Sequence, residues 1–407
     1  MITKPGIFLA VITVLITILA VSMRDVNFYI FSSLGYSILL VSYFTSLARI
    51  KKLTASRSLP KAVFAQQHLY VRINLRTTSI FQEGPFRITD FFTPAHSIES
   101  RRNVFIAYLD KETPMRYSYD AMCQKRGVYN VGPVIIEAAD FLGVFKIRRQ
   151  IDIYTELIIY PLPFNVFYLP IKRGVPSFGG EASRVAGDYE EFYGIREYKI
   201  DDGLRKIHWP STARLGELMV KQYEQGATYK TTIILDLHQA RQANWGTGDS
   251  FEWSVRISAS IAKYLIDRKM HLQFIAEGMN SYVSLLRQGE PQLFEVLDLL
   301  ARVNADGLIE LENVLDIYEQ FIPSGSCLIL VFSKASQYIF ERLARLAMKR
   351  VSIIAIVLKD SDSEAEFVIT PDGDKINFYD MLTDLCSSVY VVNESDVVDI
   401  EKKFAFM

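Results

Sequence analysis

Hydrophobic and polar positions follow three different rhythms along the 407-residue chain, and each rhythm predicts a different kind of element. From Pro5 to Met23 (PGIFLAVITVLITILAVSM) no residue is charged, and the run from Phe28 to Ala48 (FYIFSSLGYSILLVSYFTSLA) is likewise uncharged after a short RDVN turn. A run of 19 residues at about 1.5 Å each approaches the roughly 30 Å hydrocarbon thickness of a bilayer. Neither run has the polar face of a globular surface helix. The pair therefore reads as a transmembrane helical hairpin over residues 1–52, in preference to a cleaved leader or a buried soluble hairpin. Arg49, Lys51, Lys52, Arg57 and Lys61 crowd the exit of the second run, against Arg24 alone in the turn, and this asymmetry places the main body in the cytoplasm.

Between about residue 60 and residue 165 the rhythm shortens to alternation. HLYVRINLRTT, RNVFIAYLD, MRYSYDA and ELIIYP are separated by Gly, Pro, Asp and Asn, which predicts short antiparallel strands, each burying one face. A β-sandwich over residues 53–170 is the expected arrangement, with a small barrel as the alternative. Within it, Gly127 and the pair Gly132 and Pro133 punctuate two apolar runs in KRGVYNVGPVIIEAADFLGVFKIRR. Asp140 leads into a tight corner where Gly143 supplies the backbone angle and Phe141 and Phe145 fill the core.

After Lys230 the alternation disappears. TTIILDL is a continuous run without alternation, as suits a strand buried on both faces, and WSVRISASIAKYLIDR follows with helical spacing. Further strands are expected at HLQFIA, SCLILVFS, VSIIAIVL and SVYVV, with helices such as SQYIFERLARLAMKR between them. That order predicts a parallel, doubly wound α/β sheet over residues 230–407. Ligands of such sheets sit beyond the carboxyl ends of the strands, which directs attention to Asp236, Leu237, His238, Gln239 and Ala240. No glycine-rich phosphate loop follows, and there is no G-x-S-x-G nucleophile elbow.

Half of the residues are hydrophobic and 22% charged, the balance of a folded chain. With 45 basic against 46 acidic residues, broad electrostatic capture of nucleic acid is disfavoured. Cys123, Cys327 and Cys386 are far apart with no C-x-x-C pair, which fits buried thiols in a reducing compartment and neither a disulfide framework nor a zinc knuckle.

Charge changes the picture at one place, a charged connector over residues 171–229. REYKIDDGLRKIHW, residues 196–209, holds seven charged residues in fourteen positions. Arg196, Arg205 and Arg214 recur every nine residues, with Glu197, Asp201, Asp202 and Glu217 of opposite sign nearby. An arginine fork can hold a carboxylate and stack on an aromatic plane, so Arg205, Asp202 and Trp209 make a candidate knot. Three roles are open to it: an internal brace between sandwich and α/β domain, a docking surface for a protein partner, or a catalytic site. Against catalysis, His208 has no serine or cysteine beside it in a recognised arrangement, and carboxylates among arginines have lowered pKa values, the wrong direction for a general acid.

The segment GDYEEFYGIREYKIDDGLRKIHWPSTARLGELMVKQYEQ, residues 187–225, resembles the signature of the family catalogued as domain of unknown function 58. The matching positions are Gly187, Glu191, Phe192, Arg196, Glu197, Tyr198, Asp202, Arg205, Ile207, Trp209, Ala213, Arg214 and Val220. RGVYNVGP and DFLGVF resemble that family's second signature. One departure is visible: Asp201 precedes Asp202 where the family usually has Gly, and Gly203 comes one place later. The resemblance implies a membrane anchor, a rear domain similar to the von Willebrand factor A fold and association with a MoxR-type AAA+ ATPase. It implies no established biochemical activity.

The von Willebrand A fold often holds a divalent cation through D-x-S-x-S after its first strand and an Asp after a later one, because hard cations need converging oxygens. Here the motif reads D-L-H-Q-A. Asp236 keeps the first oxygen, His238 and Ala240 stand in the serine positions, and Ser333 and Lys334 stand where Thr and Asp are common. An ammonium group there repels a cation, so no metal and no other cofactor is expected. The resulting expectation is a non-enzymatic interaction protein of the bacterial inner membrane, working with the ATPase in envelope-related assembly or stress tolerance. Its partner-binding or structural residues are Arg196, Glu197, Asp202, Arg205, Trp209 and Arg214, and its strand-end cleft holds Asp236, His238 and Lys334. The alternative is a hydrolase or metal-dependent enzyme using that cleft, with His208 or His238 as base.

Overall fold

A computed structural model describes residues 2–51, 53–78, 85–94, 101–109, 114–140, 142–171, 190–198, 207–225, 229–243, 245, 250–359, 367–369 and 375–400. They fall into two compact units, Met1–Leu162 with Leu300–Arg302, and Pro163–Leu299 with Val303–Met407.

The first unit opens with α1 (Lys4–Met23) and α2 (Val26–Lys51). The Thr3 hydroxyl caps α1 by accepting from the Gly6 N–H at 3.2 Å, and Pro5 sits in the first turn, where a missing N–H costs nothing. Both helices are long and apolar enough to cross a membrane. Their outward side chains include Phe8 at 69% and Val41 at 61% exposure, a surface suited to lipid and not to water. Where the two helices meet, a Cβ on Gly35 would lie 2.6 Å from the Thr13 hydroxyl, so a small residue is what lets them approach.

Ten strands complete the unit: β1 (Leu53–Ser58), β2 (Ala62–Phe64), β3 (His68–Thr77), β4 (Phe86–Phe91), β5 (Arg101–Ile106), β6 (Met115–Met122), β7 (Gly127–Val131), β8 (Val134–Ala139), β9 (Lys146–Ile151) and β10 (Thr155–Tyr160). They form sheets of order β1-β3-β6, β2-β10-β7 and β5-β4-β8-β9, antiparallel except where β2 runs parallel to β10. Alternation sorts the faces as the sequence rhythm predicts. In β3, Leu69, Val71, Ile73 and Leu75 point into a core shared with Phe86, Ile136 and Leu157, while Tyr70, Arg72 and Arg76 face outward.

One charged side chain breaks this sorting. Arg57 lies on the inner face of β1 with Leu53 and Ala55, and its guanidinium is wholly buried. It is held by both oxygens of Asp90 and donates to the carbonyls of Val131 at 2.7 Å and Ile153 at 2.9 Å. The Tyr119 hydroxyl donates to Asp90 Oδ2 at 2.6 Å. Arg57 is therefore spent inside the fold and leaves the count of membrane-facing cations expected from sequence. Gly132 explains part of RGVYNVGP: its φ of +138° suits glycine, and a Cβ there would lie 2.3 Å from the Ile153 carbonyl and 3.2 Å from the Arg57 guanidinium.

The DFLGVF corner joins β8 to β9. Gly143 has the expected left-handed φ of +67°, and the buried Asp140 accepts the Phe145 N–H at 2.9 Å. Phe145 does not fill the core as expected. It is half-buried, packed edge-on against Tyr43 of α2 at 5.6 Å, and Val144 is the buried apolar residue instead. Phe141 lies outside the described residues. The corner also receives the start of α1, where the Thr3 N–H donates to the Val144 carbonyl at 2.9 Å.

The second unit begins with a two-stranded antiparallel hairpin, β11 (Glu190–Glu197) and β12 (Met219–Gln225), with α3 (Trp209–Leu215) between its strands. Then come β13 (Lys230–Leu235), α4 (Ser250–Asp267), β14 (His271–Glu277), β15 (Ser281–Val283), α5 (Glu290–Arg302), α6 (Leu311–Tyr318), β16 (Cys327–Phe332), α7 (Ile339–Met348), β17 (Ser352–Leu358), the small hairpin β18 (Phe367–Ile369) and β19 (Lys375–Asn377), α8 (Phe378–Leu385) and β20 (Ser388–Val392). The main sheet has order β15-β14-β13-β16-β17-β20, parallel throughout except for the antiparallel edge pair β14–β15.

β13, β16 and β17 are buried along almost their whole length because both faces are covered. Leu328, Leu330 and Phe332 of β16 join a cluster with α6, α7 and α8, while α4 lies on β13, β14 and β16. Segment 163–171 covers α4 in turn: the Phe164 N–H donates to Ser260 Oγ at 2.9 Å and the Leu169 N–H to Tyr264 Oη at 3.2 Å. That is why an almost completely buried helix carries polar side chains. The three cysteines are free and buried, and burial pushes each thiol up to about 12.

Candidate functional site

The strand-end crevice of the main sheet starts where β13 runs out. Asp236 continues the pairing, its N–H donating to the Val331 carbonyl at 2.9 Å, and its side chain is buried. Oδ1 accepts the His238 N–H at 3.0 Å, a local turn that sends the chain sideways off the sheet. Among the described residues, the buried Oδ2 has no hydrogen-bond partner, and neither has the buried Nδ1 of His238. Burial pushes the Asp236 carboxyl up to about 7; the His238 N–H and Arg241 oppose the rise, and Glu312 adds to it. The neighbouring backbone is pinned to Gly307, which exchanges hydrogen bonds with Gln239 and Leu237 at 3.0 and 2.9 Å.

Arg241, five residues beyond Asp236, brings a cation to this corner. Its Nη1 donates to both oxygens of Glu312 at 3.0 and 2.9 Å, and Nη2 reaches Glu310 Oε1 at 2.9 Å. Glu312 Oε1 also accepts the Ser336 N–H, which ties the loop after β16 to the start of α6. Burial alone would raise the Glu312 pKa, but the Ser336 hydrogen bonds and the Arg241 charge outweigh it and hold the carboxyl below its ordinary range. Lys334, in the same loop, is half-buried.

The donor set fits a hard cation poorly. Asp236 offers one uncommitted oxygen and His238 one nitrogen, whereas Glu312 is fully engaged by Arg241 and Ser336. Among the described residues, no group of three or more His, Cys, Asp and Glu is arranged to hold a metal ion.

The charged signature is displayed on the β11–β12 hairpin and α3. Arg196 stands opposite Val220, and Glu197 opposite Met219. Asp202 and Arg205 lie outside the described residues, and with them the Arg205–Asp202 contact expected from sequence. Trp209 opens α3 with 64% of its surface exposed; Leu215 at the end of the helix is 62% exposed and Leu218 just after it 45%. Arg214 lies exposed in the last turn of α3, where a cation complements the carbonyl end. Ser211 does lie near His208, with His208 Nδ1 2.8 Å from Ser211 Oγ. One helical turn produces this contact, and among the described residues no carboxylate meets the imidazole to orient it as a catalytic base.

Sequence reasoning found Asp236 and His238 but missed Arg241, Glu310, Glu312 and Ser336. Arg241 and Glu312 are 71 positions apart, so only the fold joins them. The available signal was the pair of acids opening α6, where negative charge favours a helix N-terminus.

A family model described as Protein of unknown function DUF58 matches residues 194–394. An uncharacterized protein, YeaD of Bacillus subtilis (strain 168), is 20% identical over 193 residues, 47% of this chain and 46% of the relative, so the chain spans less than half of that relative's length. Among solved structures, proximal thread matrix protein 1 from the mussel byssus aligns over 44% of this chain and 46% of its own, at 11% identity and a TM-score of 0.30. The CARDB domain of the PF1109 protein from Pyrococcus furiosus aligns over 27% of this chain and 93% of its own, at 9% identity and a TM-score of 0.20. The architecture above therefore rests on this chain's own strands and helices.

Proposed function

The chain belongs to the DUF58 family through residues 194–394, and from that premise we propose that it is a membrane-anchored, non-enzymatic docking protein. One observation carries the reading. Trp209, Arg214 and Leu215 on α3 and Leu218 just after it are all exposed, whereas the strand-end corner is filled by the protein's own Arg241–Glu312 pair. Tryptophan and arginine are enriched among the few residues that carry most of the binding energy of protein interfaces.

In this proposal residues 1–52 are the membrane hairpin, 53–170 the β domain, 171–229 the display element and 230–407 a von Willebrand factor A-like domain. The sheet order, with its antiparallel edge strand, supports that last comparison. Arg49, Lys51, Lys52 and Lys61 support a cytoplasmic body at the bacterial inner membrane. A MoxR-type AAA+ ATPase is the partner that the family resemblance implies. It would perform the nucleotide work while this chain supplies location and a binding face in envelope assembly or stress tolerance.

Affinity capture of the full chain from native membranes tests this. An AAA+ ATPase is expected to copurify with the wild type and to fall about tenfold or more with Trp209→Ala, the scale of a hot-spot truncation. An ATPase retained by the variant moves the docking face elsewhere, and no ATPase at all removes the partnership.

A second reading has its own observation. Asp236 Oδ2 and His238 Nδ1 are buried with no partner among the described residues, and a carboxyl pushed up to about 7 suits proton transfer near neutrality. Stoichiometric divalent metal in the purified chain, together with a turnover abolished by Asp236→Ala, would establish an enzyme.

A further inference from the structure

The outer face of the β1-β3-β6 sheet carries a groove of about 360 Å³ lined by Ser58, Arg72, Asn74, Arg76, Arg116 and Ser118. Strand register builds it row by row. Ser58, Arg72 and Ser118 stand side by side, Ser56, Asn74 and Arg116 form the next row, and Thr54 faces Arg76 in the third. Arg116 is therefore diagonal to both Arg72 and Arg76, at the roughly 7–8 Å spacing of such neighbours. Three like charges at this range repel one another unless an anion joins them.

None of the three arginines has a carboxylate partner among the described residues. The acid on this face, Asp120, is held by His68 at 2.6 Å and does not line the groove. The cations also do nothing for the core, because the opposite face of β3 is occupied by Val71, Ile73 and Leu75. Guanidinium forks match phosphate oxygens geometrically, and the hydroxyls of Ser58 and Ser118 with the Asn74 amide add neutral donors.

The source of the phosphate follows from chain order. β1 starts at Leu53 immediately after α2 ends at Lys51, so the Thr54–Arg76 row is at the end of the sheet nearest the helical hairpin. We propose that this groove binds the phosphate of an anionic lipid headgroup, a site that rests on the membrane-anchored reading of α1 and α2.

The test uses the full chain in mixed micelles, with bound lipid measured by native mass spectrometry against phosphatidylglycerol, phosphatidylcholine and free inorganic pyrophosphate. Wild type is expected to retain phosphatidylglycerol about tenfold over phosphatidylcholine, a preference that added salt weakens and that Arg72→Gln with Arg116→Gln abolishes. The comparison with the variant matters because the basic exit of α2 attracts anionic lipid by itself. Arg76→Gln alone, expected to lower the preference part-way, serves if the double variant does not fold.

A preference unchanged by these substitutions, no preference at all, or binding of pyrophosphate without phosphatidylglycerol overturns the assignment. Carbonate extraction of native membranes keeps the two readings apart. A chain released by carbonate removes the anchor and this site together, whereas a retained chain without headgroup preference removes the groove alone.

Discussion

Two arginine–carboxylate centres, one in each unit, have opposite characters. At Arg57 and Asp90 both carboxylate oxygens and all three guanidinium nitrogens are engaged, with Tyr119 and two backbone carbonyls completing the set. Burial, then the adjoining Asp90, drives the Tyr119 hydroxyl far above its ordinary range, so it stays a donor. At the strand ends Arg241 and Glu312 are matched, yet Asp236 Oδ2 and His238 Nδ1 are buried with no partner among the described residues. A finished network specifies a core, whereas an unfinished one imposes a desolvation cost that the surrounding packing must offset. The difference separates a closed network from an open one.

The comparison breaks most readily at Asp90. Asp90→Ala strands a buried guanidinium, and a loss of about 3–5 kcal/mol is expected in denaturant unfolding of the full chain. Wild-type stability there would show that the front centre is no brace.

The next effect is one of pH. The Asp236 pKa is raised from 3.8 to about 7 in the folded state, so between those values the unfolded chain releases a proton that the folded chain keeps, and stability falls as pH rises through the window. Asp236→Asn should abolish that slope, gaining on the order of 2–4 kcal/mol over wild type by neutral pH. Parallel melting curves for the two proteins across pH 4–7 (roughly the carboxylate-to-neutral range) would contradict it. Glu312 has the opposite sign: held below its ordinary range, it contributes fully above the unfolded carboxylate pKa, and that contribution fades as pH falls through its folded value.

Smaller still, Arg241→Met leaves the buried Glu312 without its guanidinium partner, and about 1–3 kcal/mol should be lost in the same unfolding experiment. A neutral result would mean that the guanidinium is not what satisfies this corner. Smallest is Trp209→Ala, expected to shift stability by no more than about 0.5 kcal/mol because its side chain is mostly exposed. A large loss would return α3 to the role of internal brace.

Elements whose signal is local were legible in the sequence. The strands β13, β14, β16, β17 and β20 announced themselves as unbroken apolar runs, and α1 and α2 as uncharged ones. Short elements were not: β2 and β15 have three residues each, too few to show a period, and α3 was hidden in a charged stretch. Of the candidate site, Asp236 was visible as the first polar residue after a buried strand, but its neighbours depend on loops joined across the sheet. Arg57 could have been noticed, since alternation in LTASRS puts it on the face of Leu53 and Ala55, and a charge on an apolar face requires a partner. Asp90 and Tyr119 lie 33 and 62 positions away and follow only from register.

The DFLGVF corner grips the hairpin at two points, through Thr3 at the start of α1 and through Tyr43 late in α2. A β domain gripped by both helices cannot swivel about either one alone. Any tilt of the paired helices is carried into the strands behind β8 and β9, and a pull on the body loads both helices at once.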